Sequence, residues 1–125
     1  MKLNCIAPII PVADVAKSAG FYRDVLGFEI DFVLEDNSYG VLRLQGQEIH
    51  LTGPADAAAL AATCNNISVY FWVQGIEDYY AQASAANPGT KITPIEDRPW
   101  GMREFHIHDL DGALLRIGET LPHDA

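Results

Sequence analysis

Two stretches of this chain follow one order of elements, a strand, a helix and three strands, and that order constrains most of what the chain can fold into. The first opens with "LNCIAPIIPV", a short strand that Pro8 and Pro11 confine to an edge or a bend, because proline has no N–H to give to a ladder. Asp14 then caps a helix in which Val15, Ala19, Tyr22 and Leu26 share one face, Phe21 and Val25 widen it, and Gly27 supplies the stop. Three strands follow, "FEIDFVL", "YGVLRLQ" and "EIHLT", with turns marked by Asp36, Asn37 and Gly46. Alternation in the last puts Glu48, His50 and Thr52 on one face and Ile49 and Leu51 on the other.

The second stretch begins at "ISVYFWV", whose branched and aromatic residues suit a packed pleated surface. Gly75 opens a helix with Glu77 and Asp78 at the positive end of its dipole and Ile76, Tyr80 and Ala83 on one face, and Asn87, Pro88 and Gly89 end it. "KITPI", "MREFHIH" and "ALLRIG" supply three more strands, the last two joined around Asp109 to Gly112. The segment from Gly53 to Asn66 reads chiefly as a connector with room for a short helical turn. A shift of 61 residues carries Val12 to Val73, Val15 to Ile76, Tyr39 to Trp100, Gly40 to Gly101 and Val41 to Met102. The reading is an α+β chain of paired βαβββ modules forming curved sheets around a ligand cleft. One domain covers residues 1–125, with approximate repeat halves 1–62 and 63–125.

Charge narrows the function. Seventeen acidic against eight basic side chains give a formal charge of -9, which disfavours nucleic acid and anionic membrane as partners and favours cations. Arg23, Arg43, Arg98, Arg103 and Arg116 are too dispersed to form a nucleic-acid stripe. Cys5 and Cys64 have no CxxC or zinc-ribbon spacing and read as buried or incidental thiols. With no long hydrophobic segment or signal-peptide pattern near Met1, the expected location is the cytoplasm.

The motifs "VADVAKSAGFYRDVLGF", "FWVQGIEDYYAQ" and "RPWGMREFHIHDLDGALLRIG" resemble the vicinal oxygen chelate superfamily, which contains glyoxalase I, extradiol dioxygenases, fosfomycin-resistance enzymes and bleomycin-resistance proteins. Within it the chain looks most like the bleomycin-resistance proteins. The resemblance implies paired βαβββ modules and a homodimer whose clefts involve both subunits. In metal-dependent glyoxalases of the superfamily, four strand positions contribute histidine or glutamate ligands. The positions resembling them here are Ala7, His50, Ser68 and Arg116, of which only His50 is a usual ligand type. No metal and no cofactor are therefore expected.

The expected ligand-binding residues come from several strands. His50, Glu48 and Thr52 share one strand face, and Ser68, Tyr70 and Trp72 share another that could stack on a heteroaromatic compound or approach a cation. Trp100 sits in the loop-like "RPWG" at the mouth of the cleft. The competing reading of Tyr70 and Trp72 is core packing, that of Trp100 is packing under its loop without touching ligand, and that of His50 is a histidine satisfied by a polar neighbour. Pairing around the Asp109 to Gly112 turn sets Arg116 opposite Phe105. If Arg116 points into the cleft, as the resemblance implies, Phe105 and Leu114 point there too, while His106 and His108, which with Glu104 form an "ExHxH" pattern, point away. The expected function is non-catalytic binding and sequestration of a cationic, partly aromatic glycopeptide antibiotic of the bleomycin class. The alternatives are a divergent glyoxalase-like, metal-assisted enzyme using His50 with an acidic residue, and a regulatory or protein-binding domain.

Overall fold

A computed structural model describes residues 1–122. Its elements in order are β1 (Ile9–Pro11), α1 (Val15–Leu26), β2 (Glu29–Val33), β3 (Tyr39–Leu44), β4 (Gln47–Thr52), α2 (Ala57–Cys64), β5 (Ser68–Trp72), α3 (Ile76–Ala85), β6 (Glu96–Asp97), β7 (Met102–His108) and β8 (Leu114–Thr120). The caps of α1 are those its sequence calls for. The Asp14 carboxylate accepts from the Lys17 N–H, and Gly27 takes a left-handed φ of 78° while its N–H returns to Arg23. Every residue assigned to the apolar face of α1 is buried.

Two local expectations change. The connector holds a helix, α2, because Asp56 caps it through the Ala59 N–H and alanine has the best helix propensity of any residue; Leu60 and Cys64, four apart, are its buried residues. "KITPI" forms no strand. Pro94 interrupts any ladder there, leaving a single bridge from Ile92 to Ile107, and the edge strand is the two-residue β6 further on.

The sheets depart from the expected architecture. The chain does form two βαβββ-like units, each with one four-stranded sheet: β1-β4-β3-β2 in the first and β5-β8-β7-β6 in the second. Both sheets are open, and neither curls or closes around a cleft. The apolar face of the first packs on α1 and that of the second on α3, and the two helices pack on each other, so burial is achieved without a sheet wrapping round. One core joins both units: Ile10, Leu42 and Leu51 from the first sheet, Tyr22 and Leu26 from α1, Ile76 from α3, and Phe105, Leu115 and Ile117 from the second sheet.

The two units pair their strands alike. Val15 and Ile76 both begin a helix and are both fully buried, and β1 runs parallel to β4 as β5 does to β8. Further on, Val41 faces His50 while His106 faces Arg116, so Val41 and His106, 65 positions apart, are equivalent. The 61-residue shift fails there: Tyr39 corresponds to Glu104, and Trp100 precedes β7 altogether.

Candidate functional site

Where the free edge of β5 approaches α1, β4 and α3 lies an open surface depression of about 1090 Å³. Its floor is apolar because residues alternate across β4 and β5. Ile49, Val69 and Phe71 turn towards the core, and Phe71 meets Phe28 edge-on at 5.9 Å between ring centroids. Tyr70 and Trp72 rise on one side, with Trp72 left 74% exposed. The charged residues lining it are both carboxylates, Glu48 and Asp78; the described lining holds no Lys, Arg or His. Tyr79 also lines it, its hydroxyl donates to the Leu26 carbonyl at 2.6 Å, and burial pushes its pKa far above the ordinary tyrosine value.

Glu48 is held in place from behind. It stands 2.8 Å from His50 Nε2, and Tyr39 lies 2.7 Å from His50 Nδ1. The hydrogen bond from His50, helped by Arg43 at 3.4 Å, keeps the Glu48 carboxyl below the usual range, so it is ionised at neutral pH and can only accept. His50 Nε2 is therefore the donor to Glu48, and whenever the imidazole carries only that proton the Tyr39 hydroxyl donates to Nδ1. Arg43 also reaches Asp31 at 3.4 Å, so the depression meets the end of a charged chain crossing the outer face of the first sheet.

The outer face of the second sheet centres on Glu104, which is 2% exposed. Its Oε2 accepts from the Tyr70 hydroxyl at 2.8 Å and from Trp100 Nε1 at 3.0 Å; its Oε1 lies 3.4 Å from His106 Nε2 and 3.8 Å from Arg98. Burial pushes this carboxyl up, but the bonds from Trp100, Tyr70 and His106 outweigh it and hold it below the usual range. Tyr70 moves the other way: burial and its bond to the Glu104 anion push it up to about 12. Gly118 makes the contact possible, since a Cβ there would collide with the Tyr70 hydroxyl and lie 2.7 Å from Cζ of its ring.

The expected site residues therefore fall into separate groups. Glu48, Tyr70 and Trp72 line the depression, with His50 behind Glu48. Thr52 shares the His50 face further along β4, opposite Tyr39. Ser68, Leu114 and Arg116 lie on the outer face of the second sheet, and Trp100 reaches that face through Glu104. Phe105 departs from its expected place: it is fully buried in the core, paired with Ile117, while Arg116 pairs with His106. Hence His106 and His108 share the Arg116 face and Phe105 does not. In the sequence Asp78 reads as a helix-dipole residue, and nothing local there brings residues 28 and 79 beside β5, so Phe28 and Tyr79 carry no signal as lining. Glu104 was visible only as part of "ExHxH".

A metal does not fit these residues. Of Ala7, His50, Ser68 and Arg116, the one imidazole has both ring nitrogens engaged, and the guanidinium would repel a divalent ion. Among the described residues no three His, Cys, Asp or Glu side chains come together as a metal centre requires.

Comparison with known proteins agrees with this architecture. Residues 5–122 match the glyoxalase-like domain family. A bleomycin resistance protein of Geobacillus stearothermophilus is 28% identical over 127 residues, spanning 91% of this chain and 95% of its own. A bleomycin resistance determinant encoded on the transposon Tn5 superposes with a TM-score of 0.78 at 22% identity, covering 94% of this chain and 98% of that one. The bleomycin-binding protein from Streptomyces verticillus, solved with copper(II)-bleomycin, gives a TM-score of 0.72 at 23% identity, over 98% and 99%.

Proposed function

This chain belongs to the glyoxalase-like domain family, within the superfamily that includes the bleomycin-resistance proteins, and on that premise we propose that it binds and sequesters a cationic, partly aromatic antibiotic of the bleomycin class without altering it. The observation that carries this reading is the lining of the depression. Two carboxylates and a wall of aromatic rings surround an apolar floor, with no cation among the described lining residues. Carboxylates attract a positively charged tail, an exposed indole such as Trp72 offers a face for stacking or for a cation, and the volume suits a drug-sized group. The bleomycin-binding protein solved with its drug supports the ligand class through a shared fold. Capture in the cytoplasm would keep the drug from its target by mass action alone.

Homodimerisation belongs to the same reading. Ile6, Ile9 and Trp72 are large apolar side chains left more than half exposed on or near β1 and β5, each an edge strand of its sheet, and a second copy would cover such surface. Among the described residues no helix is long and apolar enough to cross a membrane.

Calorimetry with metal-free and copper-loaded bleomycin tests the assignment. Saturable binding that weakens with salt, with the drug recovered chemically unchanged, is expected. Absence of binding at low ionic strength defeats the ligand class, and a modified drug defeats sequestration.

A further inference from the structure

Arg116 stands out on the outer face of the second sheet as a cation without a counter-ion among the described residues. No carboxylate of the described residues lies within salt-bridge distance of it, although every other arginine of the chain has one. Its Nε is shielded from solvent and has no hydrogen-bond partner among the described residues. Arg116 is half-buried, and its terminal nitrogens make no hydrogen bond or ion pair to the described residues, which leaves the guanidinium fork without a partner among them.

Neighbouring chemistry explains why the charge stays unpaired. Arg116 faces His106 on β7 and Tyr70 on β5. The one carboxylate of that face beside them, Glu104, is already occupied by Tyr70, Trp100 and His106 and has Arg98 at 3.8 Å. Leu114 and Tyr70, a residue 43% exposed, flank Arg116 on that face.

We propose that Arg116 anchors a carboxylate subsite that takes a monoanionic aromatic acid, its two oxygens on the guanidinium fork and its ring against Tyr70. A planar carboxylate matches the fork in a bidentate pair, which a single point charge does not. A monoanion suits the site better than a phosphate dianion, because one guanidinium beside the Glu104 anion, in a protein of net charge -9, balances only one negative charge. The position that would oppose a divalent cation thus becomes the position that accepts an anion. This subsite does not rest on the bleomycin reading, since its anchor Arg116 is not part of the lining of the depression, only Tyr70 is common to both, and it takes the opposite charge.

The test is titration of the full chain with benzoate, methyl benzoate and inorganic phosphate, followed by calorimetry and by the ¹⁵N–¹H resonance of Arg116 Nε. Benzoate is expected to move that resonance saturably, with methyl benzoate producing no saturable shift and phosphate binding more weakly. In Arg116→Gln, with matched circular dichroism and melting temperature, benzoate affinity falls by about tenfold or more, and Arg116→Lys keeps the charge but loses about threefold through loss of the fork. Unchanged affinity in Arg116→Gln overturns the proposal, as does equal binding of the ester, which reports apolar adsorption. Tighter binding of phosphate than benzoate overturns the monocarboxylate assignment. Should Arg116→Gln fail to fold, the wild-type resonance decides alone: no saturable shift with benzoate means no subsite.

Discussion

Tyr22 donates a hydrogen bond to Asp109 at 2.9 Å, joining the middle of α1 to the turn between β7 and β8 across 87 positions of sequence, with both side chains buried. The same carboxylate accepts the N–H groups of Asp111 and Ala113 through its other oxygen. One buried group thus shapes the turn and ties the second unit to the helix of the first. Tyr22→Phe leaves the Tyr22-facing oxygen of Asp109 buried without its donor and should lower stability by about 1–3 kcal/mol. Urea unfolding monitored by tryptophan fluorescence reads this directly, and an unchanged midpoint would show that the bond does not hold the units together.

Acid should weaken the fold through Glu104. Its folded pKa lies below its ordinary value of 4.5, so its ionised form is bound more firmly by the native state. The stability this contributes is fully present above the unfolded pKa and is lost as pH falls through the lower folded value. Glu104→Gln should therefore flatten the fall in stability below about pH 4.5. Asp109 works with the opposite sign: burial raises its folded pKa above 3.8, so its contribution is present below 3.8 and lost as pH rises through the folded value. Asp109→Asn should remove that opposing slope. Melting temperatures across pH 2–6 for the two variants should diverge from wild type in opposite directions, and parallel curves would contradict both assignments.

Gly118→Ala should displace Tyr70 from Glu104, because the new methyl occupies the place of the phenol. Tyr70 then loses the environment that lifts it to about 12, and the ultraviolet titration of one tyrosine should move down towards about 10. Forcing the ring aside should also cost roughly 1–3 kcal/mol of stability. A titration identical to wild type would mean that Tyr70 does not lie across Gly118 in solution.

Trp72 separates binding from folding. Three-quarters of it is exposed and its indole N–H donates to Thr120 at 3.0 Å, so Trp72→Leu should leave the fold intact. Bleomycin affinity should fall by roughly 1–2 kcal/mol if the ring stacks on the drug or meets its cation. Calorimetry on wild type and variant at matched oligomeric state makes the comparison, and equal affinities would remove Trp72 from the site.

Glu48→Gln tests the charge of the same depression while leaving a side chain of similar shape in contact with His50. Affinity for the cationic drug should fall by about threefold to tenfold at low salt and converge with wild type as salt rises. A loss independent of ionic strength would point to altered packing behind Glu48 instead of lost attraction.

The amino-acid sequence by itself determined what depends on neighbours close along the chain. The caps of α1 at Asp14 and Gly27 are local hydrogen-bond and backbone requirements, and the alternation of Ile49 and Leu51 with Glu48, His50 and Thr52 follows from the two-residue period of any strand. The order strand, helix, three strands was legible in the first unit for the same reason, while in the second the edge strand forms at Glu96–Asp97 and not in "KITPI". Tertiary structure decided whatever depends on how strands slide and where faces meet. Counting back from the Asp109 turn placed Arg116 opposite Phe105, but the turn closes from the Asp109 N–H to the Ala113 carbonyl, with the carboxylate inside it, and that slips the pairing by one residue. One residue of slip reverses which side chains share a face, so Phe105 went to the core and His106 to Arg116. The sheets stayed open because α1 and α3 pack on one another and cover the apolar faces, a choice made by contacts such as Tyr22 with Asp109 that no local pattern contains. The depression itself, where Glu48, Phe28, Tyr79 and Trp72 meet, exists only because those helices set the free edge of β5 beside β4 and the end of α1.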